Sequence, residues 1–480
     1  MDKTDGVATV LSPDICVIGA GSAGLSVAAG AAAFGVPVVL IERGLMGGEC
    51  LNTGCVPSKA LIAAAKHAHA VRKAAEFGVI AGEPLIDFEK VRAHVRSVID
   101  AIAPNDSAER FAAMGVTVIK ADAQFTDGNT VIAGDYTIRA RRFVIATGSV
   151  PVIPPVPGLA GIDYLTSETL FDLESLPQHL IIIGAGPVGL EMAQAHRRLG
   201  ARVTVVDAGR ALAKEDPELA GIVLDGLRGE GIDIFEHSQV LSVGKTAAGL
   251  HLHCETPAGP VTIEGSALLV AAGKRGNTSG LGLEAAGIGV SVTGISVDRS
   301  LRTQNHRVYA IGDVAGGLQF THAANYHASL VLREILFRLP ARENRDIVPR
   351  ATFTDPEIAS AGLDEEQARR RYGAVEVLRW PYADNDRAQA ERATEGLIKI
   401  VTGKRGKILG VGITGAGAAE MINMWSLLIA NGQSLRHVRN AIVPYPAMTE
   451  IGKRAVIAYY TPLTRAPFVR AIIRLLRRFG

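Results

Sequence analysis

Ile15-Cys-Val-Ile-Gly19-Ala-Gly21-Ser-Ala-Gly24 is the stretch that decides the fold. A short apolar, β-branched run leads straight into Gly-x-Gly-x-x-Gly, which predicts a buried strand, a tight turn and the start of a helix. Glycines at these spacings let the backbone approach a pyrophosphate, whose charge then sits at a helix N-terminus. An Ala-rich run follows, and Val36 to Ile41 reads as a second strand ending at Glu42, where a carboxylate suits ribose hydroxyls. A single such motif is weak, but the chain carries it twice. Leu180-Ile-Ile-Ile183 runs into Gly184-Ala-Gly186-Pro-Val-Gly189, then a helical stretch, then Arg202 to Val206 and Asp207. In both copies the acid lies 23 residues after the first glycine. Each half closes with a strand running into another glycine turn, Phe143-Val-Ile-Ala-Thr147-Gly148 and Leu268-Leu-Val-Ala-Ala-Gly273. The pattern predicts an α/β chain with two Rossmann-like domains, each holding one dinucleotide.

At 480 residues the chain is too long for one core. Its 20% charged residues and net charge of +2 give no reason to expect nucleic acid as a partner. Ile15 to Ile41 has no charged residue and matches a membrane span in length. Gly19, Gly21, Gly24, Gly35 and Pro37 punctuate it, so it reads as strand, turn, helix and strand instead. Met1 to Asp5 lacks the basic-then-apolar pattern of a signal peptide. Four cysteines do not make a secreted disulfide scaffold, and a reducing cytoplasmic setting is expected. Cys16 and Cys254 sit in apolar, strand-like runs and read as small buried hydrophobes.

Cys50 and Cys55 are different. Cys50-Leu-Asn-Thr-Gly-Cys55 follows Gly47-Gly48 and precedes Val56-Pro57-Ser58-Lys59, with a proline suited to a first helical turn. Such a pair closes to a disulfide and reopens to a dithiol, and a helix N-terminus favours the reactive thiolate. The segment directly follows the first nucleotide unit, so an electron source is expected beside it.

With these motifs together, the chain resembles the flavoprotein pyridine nucleotide-disulfide oxidoreductases, the group of dihydrolipoamide dehydrogenase, glutathione reductase and mercuric reductase. The resemblance runs from about Asp14 to Ala458. It implies FAD at the first site, on Gly19, Gly21, Gly24, Glu42, Thr147 and Gly148, and NAD(P)H at the second, on Gly184, Gly186, Gly189, Asp207 and Gly273. Tyr309-Ala-Ile-Gly312-Asp313 matches the segment whose Asp binds the ribityl and phosphate region of FAD. Thr321-His322 matches the stretch against the flavin ring. By the same resemblance Cys50 meets substrate, Cys55 faces the isoalloxazine, and Lys59 with Glu191 forms a pair near flavin N5. Asp207 welcomes a free 2′-hydroxyl, and Gly189 stands where many NADP-binding versions use Ala, so NADH is favoured although Arg210 is near. Implied boundaries are FAD-binding over 1–150 and 279–345, NAD(P)H-binding over 151–278, and an α+β dimerisation domain over 346–460 that makes a homodimer.

Two departures bear on the acceptor. Family disulfide reductases use a His-Pro…Glu element, in which His is the acid-base catalyst and Glu orients it. Here Pro444-Tyr445-Pro446-Ala447-Met448-Thr449-Glu450 puts Tyr445 where the His stands and keeps Glu450. A tyrosine, with an ordinary pKa near ~10, is a poor proton shuttle at neutral pH. Mercuric reductases share this tyrosine, and the chain is closest to members lacking their metal-binding extensions: no cysteine follows Cys254. The acceptor is therefore expected to be a disulfide, a soft metal ion or a quinone, the last reduced directly from flavin; a redox-sensing binding protein is the alternative from another class. Residues 461–480 form a basic amphipathic tail, with Arg470, Arg474, Arg477 and Arg478 around an apolar stripe. Its ordinary role is packing on the protein, and the alternative is peripheral membrane contact through 465–480.

Overall fold

The computed structural model describes residues 9–246 and 249–479, so Met1 to Asp5, read above for a targeting signal, lies outside them. The chain divides into two compact units. One comprises Met1–Gly184, Arg198–Val206 and Gln239–Glu343; the other comprises Ala185–Arg197, Asp207–Ser238 and Asn344–Gly480.

The first unit is organised by a five-stranded sheet in the order Val308–Ala310, Arg142–Ile145, Ile15–Ile18, Val38–Glu42, Thr117–Lys120. All four pairings are parallel. Its inner strands Ile15–Ile18 and Val38–Glu42 are apolar up to the terminal Glu42 because both faces are covered. Ile15, Val17, Leu40 and Val144 face a core shared with the helices Ser22–Ala33 and Thr321–Phe337. Cys16, Ile18, Val39, Ile41 and Ile145 alternate onto the opposite core with Phe125 and Phe143. The alanines of Ser22–Ala33 bring helix and sheet close together, and a Cβ on Gly30 would come within 2.4 Å of Leu332. The uncharged stretch 15–41 is thus strand, turn, helix and strand. Among the described residues no helix is long and apolar enough to cross a membrane.

The same unit contains His179–Ile183, flanked in parallel by Arg202–Val206 and Ala267–Val270. It also holds an antiparallel three-stranded sheet, Gln239–Thr246, Gly249–Thr256 and Gly259–Gly265. Cys16 and Cys254 are both buried on strands, as small hydrophobes are.

The duplicated turns match at the backbone level. Gly19 N–H donates to Ile41 O at 2.8 Å, and Gly184 N–H to Val206 O at 2.8 Å. A Cβ on Gly19 would stand 2.4 Å from Ala146 O, and one on Gly184 2.4 Å from Ala271 O. Both glycines have φ above +100°. Each first glycine is therefore required twice over, by conformation and by contact with the next strand.

In the second unit an antiparallel sheet runs Arg350–Thr352, Ile358–Gly362, Ile408–Thr414, Leu397–Thr402, Glu376–Pro381. Trp425 of helix Ala418–Ala430 and Ile451 and Val456 of helix Glu450–Tyr460 fill its core. Lys399 is buried in this sheet, and its ammonium lies 2.8 Å from Asp216, 3.0 Å from Glu218 and 3.0 Å from Glu365. Asp216 caps helix Pro217–Gly229, so one charge network fixes that helix against the sheet. The architecture is two Rossmann-like parts and a carboxyl-terminal α+β part.

Gly19→Ala should cost at least about 2 kcal/mol, because the strained φ and the backbone clash add. Gly21 has an ordinary φ of −83° and its Cβ would meet nothing closer than 3.9 Å. Gly21→Ala should therefore stay within about 1 kcal/mol of wild type. Thermal unfolding of the two ligand-free variants checks the contrast.

Candidate redox-active site

The short helix Gly48–Asn52 carries Cys50, and Cys55 opens the long helix Cys55–Lys73. Gly47 and Gly48 both have positive φ, and a Cβ on Gly48 would lie 2.7 Å from Gly21 Cα. The paired glycines thus let the cysteine segment press directly against the first nucleotide turn. Both cysteines are free thiols. Thr321 Oγ1 donates to Cys50 Sγ at 3.1 Å and lies 3.7 Å from Cys55 Sγ.

The two sulfurs share a proton unequally. The Cys55 hydrogen bond is the largest influence on Cys50 and brings its thiol down to about 6. Burial opposes this, Thr321 and Ser22 add to it, and the Asp106 carboxylate opposes it. Cys55 moves the other way, held protonated by its bond to Cys50, by burial and by the charge on Cys50, against the pull of Lys59. Both cysteines lie at helix starts, Cys50 in Gly48–Asn52 and Cys55 in Cys55–Lys73, and their hydrogen bonds lower the Cys50 thiol and raise Cys55. The number of hydrogen-bond donors decides this, since each stabilises the charged sulfur directly.

The first nucleotide turn is locked by a carboxylate. Glu42 accepts from Ala20 N–H at 2.6 Å and from Gly44 N–H at 2.6 Å. In the other unit Asp207 accepts from Ala185 N–H at 2.7 Å and from Gly209 N–H at 2.7 Å. The two acids thus make the same pair of bonds at equivalent positions. Each ends its strand as a fixed acceptor, with lone pairs left over for ligand hydroxyls. A Cβ on Gly148, Gly186 or Gly273 would meet nothing within 4 Å, which leaves a bare backbone for a ligand. Thr147 Oγ1 donates to Asn277 O at 2.7 Å and Asn277 N–H to Gly148 O at 2.9 Å. The strands Ser149–Pro151 and Lys274–Gly276 then pair antiparallel, with Gly148 beside Asn277 at one end of the ladder and Gly273 beside Val152 at the other.

Asp313 accepts from Ser149 Oγ at 2.7 Å. Burial pushes its carboxyl up, while Ser149, Lys274 and His327 pull it down. Burial lowers Lys274, which forms an ion pair with Glu49, the residue before Cys50. Behind Asp313, Gly312 N–H donates to His327 Nδ1 at 3.2 Å, so Nε2 carries the ring proton and faces Glu343 at 3.0 Å. A buried, incompletely neutralised acid and bare glycine backbone beside a dithiol fit the ribityl and phosphate groups of a flavin dinucleotide.

His322 is exposed and stacks on Phe320, with ring centroids 5.3 Å apart. Glu191 is buried in the second unit and accepts from Phe353 N–H at 2.8 Å. Tyr445 is 70% exposed and donates its hydroxyl to Asp386 at 2.9 Å, which raises its pKa. Glu450 begins its helix with Oε2 buried and without a hydrogen-bond partner. Tyrosine and glutamate therefore do not form the bonded pair that a His and Glu make. Among the described residues no cluster of three or more His, Cys, Asp or Glu side chains is placed to hold a metal ion.

Sequence reasoning missed Ser22, Glu49, Asp106, Ser149, Lys274 and His327 as site residues, and noted Thr321 only as a neighbour of His322. Ser22 lies inside the glycine motif and Glu49 beside Cys50, so position alone was a signal for those two.

A family model described as pyridine nucleotide-disulphide oxidoreductase matches residues 13–328, and the dimerisation domain of the same family matches residues 348–456. The chain is 34% identical over 460 residues to a mercuric reductase of Streptomyces lividans, covering 94% of this chain and 97% of that one. It is 32% identical over 461 residues to a dihydrolipoyl dehydrogenase of Geobacillus stearothermophilus, with 94% and 97% covered. Among solved structures, the Cu(II) complex of the HOCl-induced flavoprotein disulfide reductase RclA from Escherichia coli superposes with a TM-score of 0.83 at 28% identity, covering 93% and 99%. LpdA from Mycobacterium tuberculosis gives 0.85 at 28% identity, covering 94% and 99%.

If Cys50 carries the charge, iodoacetamide should label it before Cys55 in the reduced protein. The rate should fall as pH drops through about 6. Thr321→Val removes one donor and should move that midpoint up by roughly one unit. Mass mapping that finds Cys55 alkylated first contradicts the assignment.

Proposed function

We propose, for a chain that belongs to the pyridine nucleotide-disulphide oxidoreductase family, that Cys50 and Cys55 are the outlet through which electrons from NADH leave for an oxidised acceptor. The family assigns it as an FAD-dependent, pyridine nucleotide-using flavoprotein enzyme with a dimerisation domain. The observation that carries the finer reading is the pair of free thiols Cys50 and Cys55 gathered around Thr321, whose hydroxyl donates to Cys50 Sγ at 3.1 Å.

FAD, when bound, relays two electrons from the nicotinamide to the cysteine pair. Gly19, Gly21, Gly24 and Glu42 would hold its adenosine and pyrophosphate, Thr147 and Gly148 would line its path, and Asp313 would take the ribityl hydroxyls. His322 would lie near the ring, and Lys59 with Glu191 near its reactive nitrogen. Gly184, Gly186, Gly189, Gly273 and Asp207 would hold the nicotinamide dinucleotide. The doubly bonded Asp207 carboxylate supports NADH over NADPH, because a fixed negative charge repels a 2′-phosphate.

In the reduced protein the Cys50 thiolate attacks a disulfide sulfur or binds a soft metal ion. With a disulfide, Cys50 forms a mixed disulfide and one thiolate leaves. Cys55 then attacks Cys50, the second thiol departs, and the Cys50–Cys55 bond closes. One disulfide has broken, one has formed, and two electrons have passed to the acceptor. Thr321 steadies the Cys50 thiolate until it is spent in the mixed disulfide, and the Cys55 proton leaves as its sulfur becomes the nucleophile.

Protonating the leaving thiol is where this chain differs. Tyr445 gives its hydroxyl to Asp386 and is raised in pKa, so it is a poor proton donor. That supports an acceptor whose departure needs no proton, a soft metal ion above an alkyl disulfide. The similarity to mercuric reductases and to a disulfide reductase bound to Cu(II) runs in the same direction. A reducing compartment suits the open dithiol, and we place the enzyme in the cytoplasm.

Cys50→Ser should lower turnover of disulfides, Hg(II) and Cu(II) by at least about a thousandfold while NADH still bleaches the flavin. Quinone turnover that survives the loss of both thiols, with the metals and disulfides inert in wild type, would favour direct reduction from flavin. In steady state, kcat/KM for NADH should exceed that for NADPH by at least about tenfold. A reversed ratio contradicts the role given to Asp207.

A further inference from the structure

Helix Pro467–Leu476 is the part of the molecule that the redox reading leaves without a task. Phe468, Ile472, Ile473, Leu475, Leu476 and, just beyond it, Phe479 are each more than half exposed. At 3.6 residues per turn all six, with Val469, fall on one continuous arc. Arg470, Arg474, Arg477 and Arg478 occupy the opposite arc, with no residue of either kind out of place. Such segregation is far cleaner than in the helix Ala418–Ala430, which buries its apolar face in the second unit's own core.

Charge identifies the occupant. After Glu450 the sequence contains Lys453, Arg454, Arg465 and the four arginines of the tail, and no acidic residue at all. A second copy of this helix packed on the apolar arc would cover that arc alone and leave both arginine strips on the outside, with no acid in either copy of the helix to pair them. A surface dense in anions and backed by hydrocarbon satisfies both faces at once. The helix has ten residues, which is about 15 Å of length and half of what a hydrocarbon core requires. It is shaped to lie along a bilayer, not to cross it. Long arginine side chains reach from that depth to headgroup phosphates.

We propose that helix Pro467–Leu476 is an interfacial membrane anchor that seats the enzyme on anionic phospholipid. Its apolar arc enters the acyl boundary and its arginines bind headgroup phosphates. The inference is independent of the acceptor, since none of these residues belongs to the redox site.

The test is co-sedimentation of full-length holoenzyme with phosphatidylglycerol or phosphatidylcholine vesicles. At low salt the protein should pellet with the anionic vesicles and stay in solution with the neutral ones, and it should be released near 1 M salt, where the Debye length is about 3 Å. Arg474→Glu with Arg477→Glu should weaken anionic binding by at least about a hundredfold. Ile472→Ser with Leu476→Ser should also abolish it, with NADH reduction of the flavin unchanged in both variants. No pelleting with either vesicle at low salt overturns the proposal. So does a change of oligomeric state in the serine variant by analytical ultracentrifugation, which would make the arc a contact between copies. Pelleting with phosphatidylcholine equal to that with phosphatidylglycerol overturns the role of charge.

Discussion

One hydrogen bond between two sulfurs sets the cysteines of the redox pair apart. It lowers the Cys50 thiol and raises Cys55, and Thr321 adds a second donor to Cys50. A thiol in an ordinary setting is mostly protonated at neutral pH and nucleophilic only in its minor form. Three donors around Cys50 reverse that balance, while the Asp106 carboxylate and burial limit how far it goes. In the proposed reaction the asymmetry gives the pair a direction: Cys50 would meet what arrives, and Cys55 would close the ring behind it. Two consecutive glycines ahead of Cys50 make the arrangement possible, since side chains there would hold the segment off the first nucleotide turn.

The nucleotide turns follow from an equally small set of contacts. Glu42 and Asp207, in different units, each accept two backbone N–H groups from matched positions. Those bonds tie a glycine turn to the end of the neighbouring strand and orient the carboxylate. The first glycine of each motif packs its bare Cα against a backbone carbonyl of the next strand over. Duplication has therefore preserved hydrogen bonds and close approaches, and not merely the glycines that mark them.

Much of this was legible from residues close together in the chain. The strand runs, the glycine spacings and the terminal acids announced both nucleotide units because each is a local pattern with a physical reason. Contacts across long separations were not legible. Thr321 lies 271 residues from the Cys50 it bonds, and Ser149 lies 164 from Asp313. Neither serine nor threonine advertises such a role by type. The substitution of Tyr445 was visible, but its bond to Asp386, 59 residues away, was not. That bond turns a weak acid into a weaker one. Helix position does not separate the two thiols, since Cys50 lies in the first turn of Gly48–Asn52 and Cys55 opens Cys55–Lys73; their direct hydrogen bonds do.

The account stands on the cysteine pair being an electron store in series with the flavin. Anaerobic titration of the oxidised holoenzyme with NADH measures this directly by counting reducing equivalents. A flavin and a disulfide in series should consume about two equivalents of NADH per flavin before the yellow colour is lost, with two free thiols gained per chain. Complete bleaching by about one equivalent, with no free thiols gained, would show that the sulfurs lie outside the electron path.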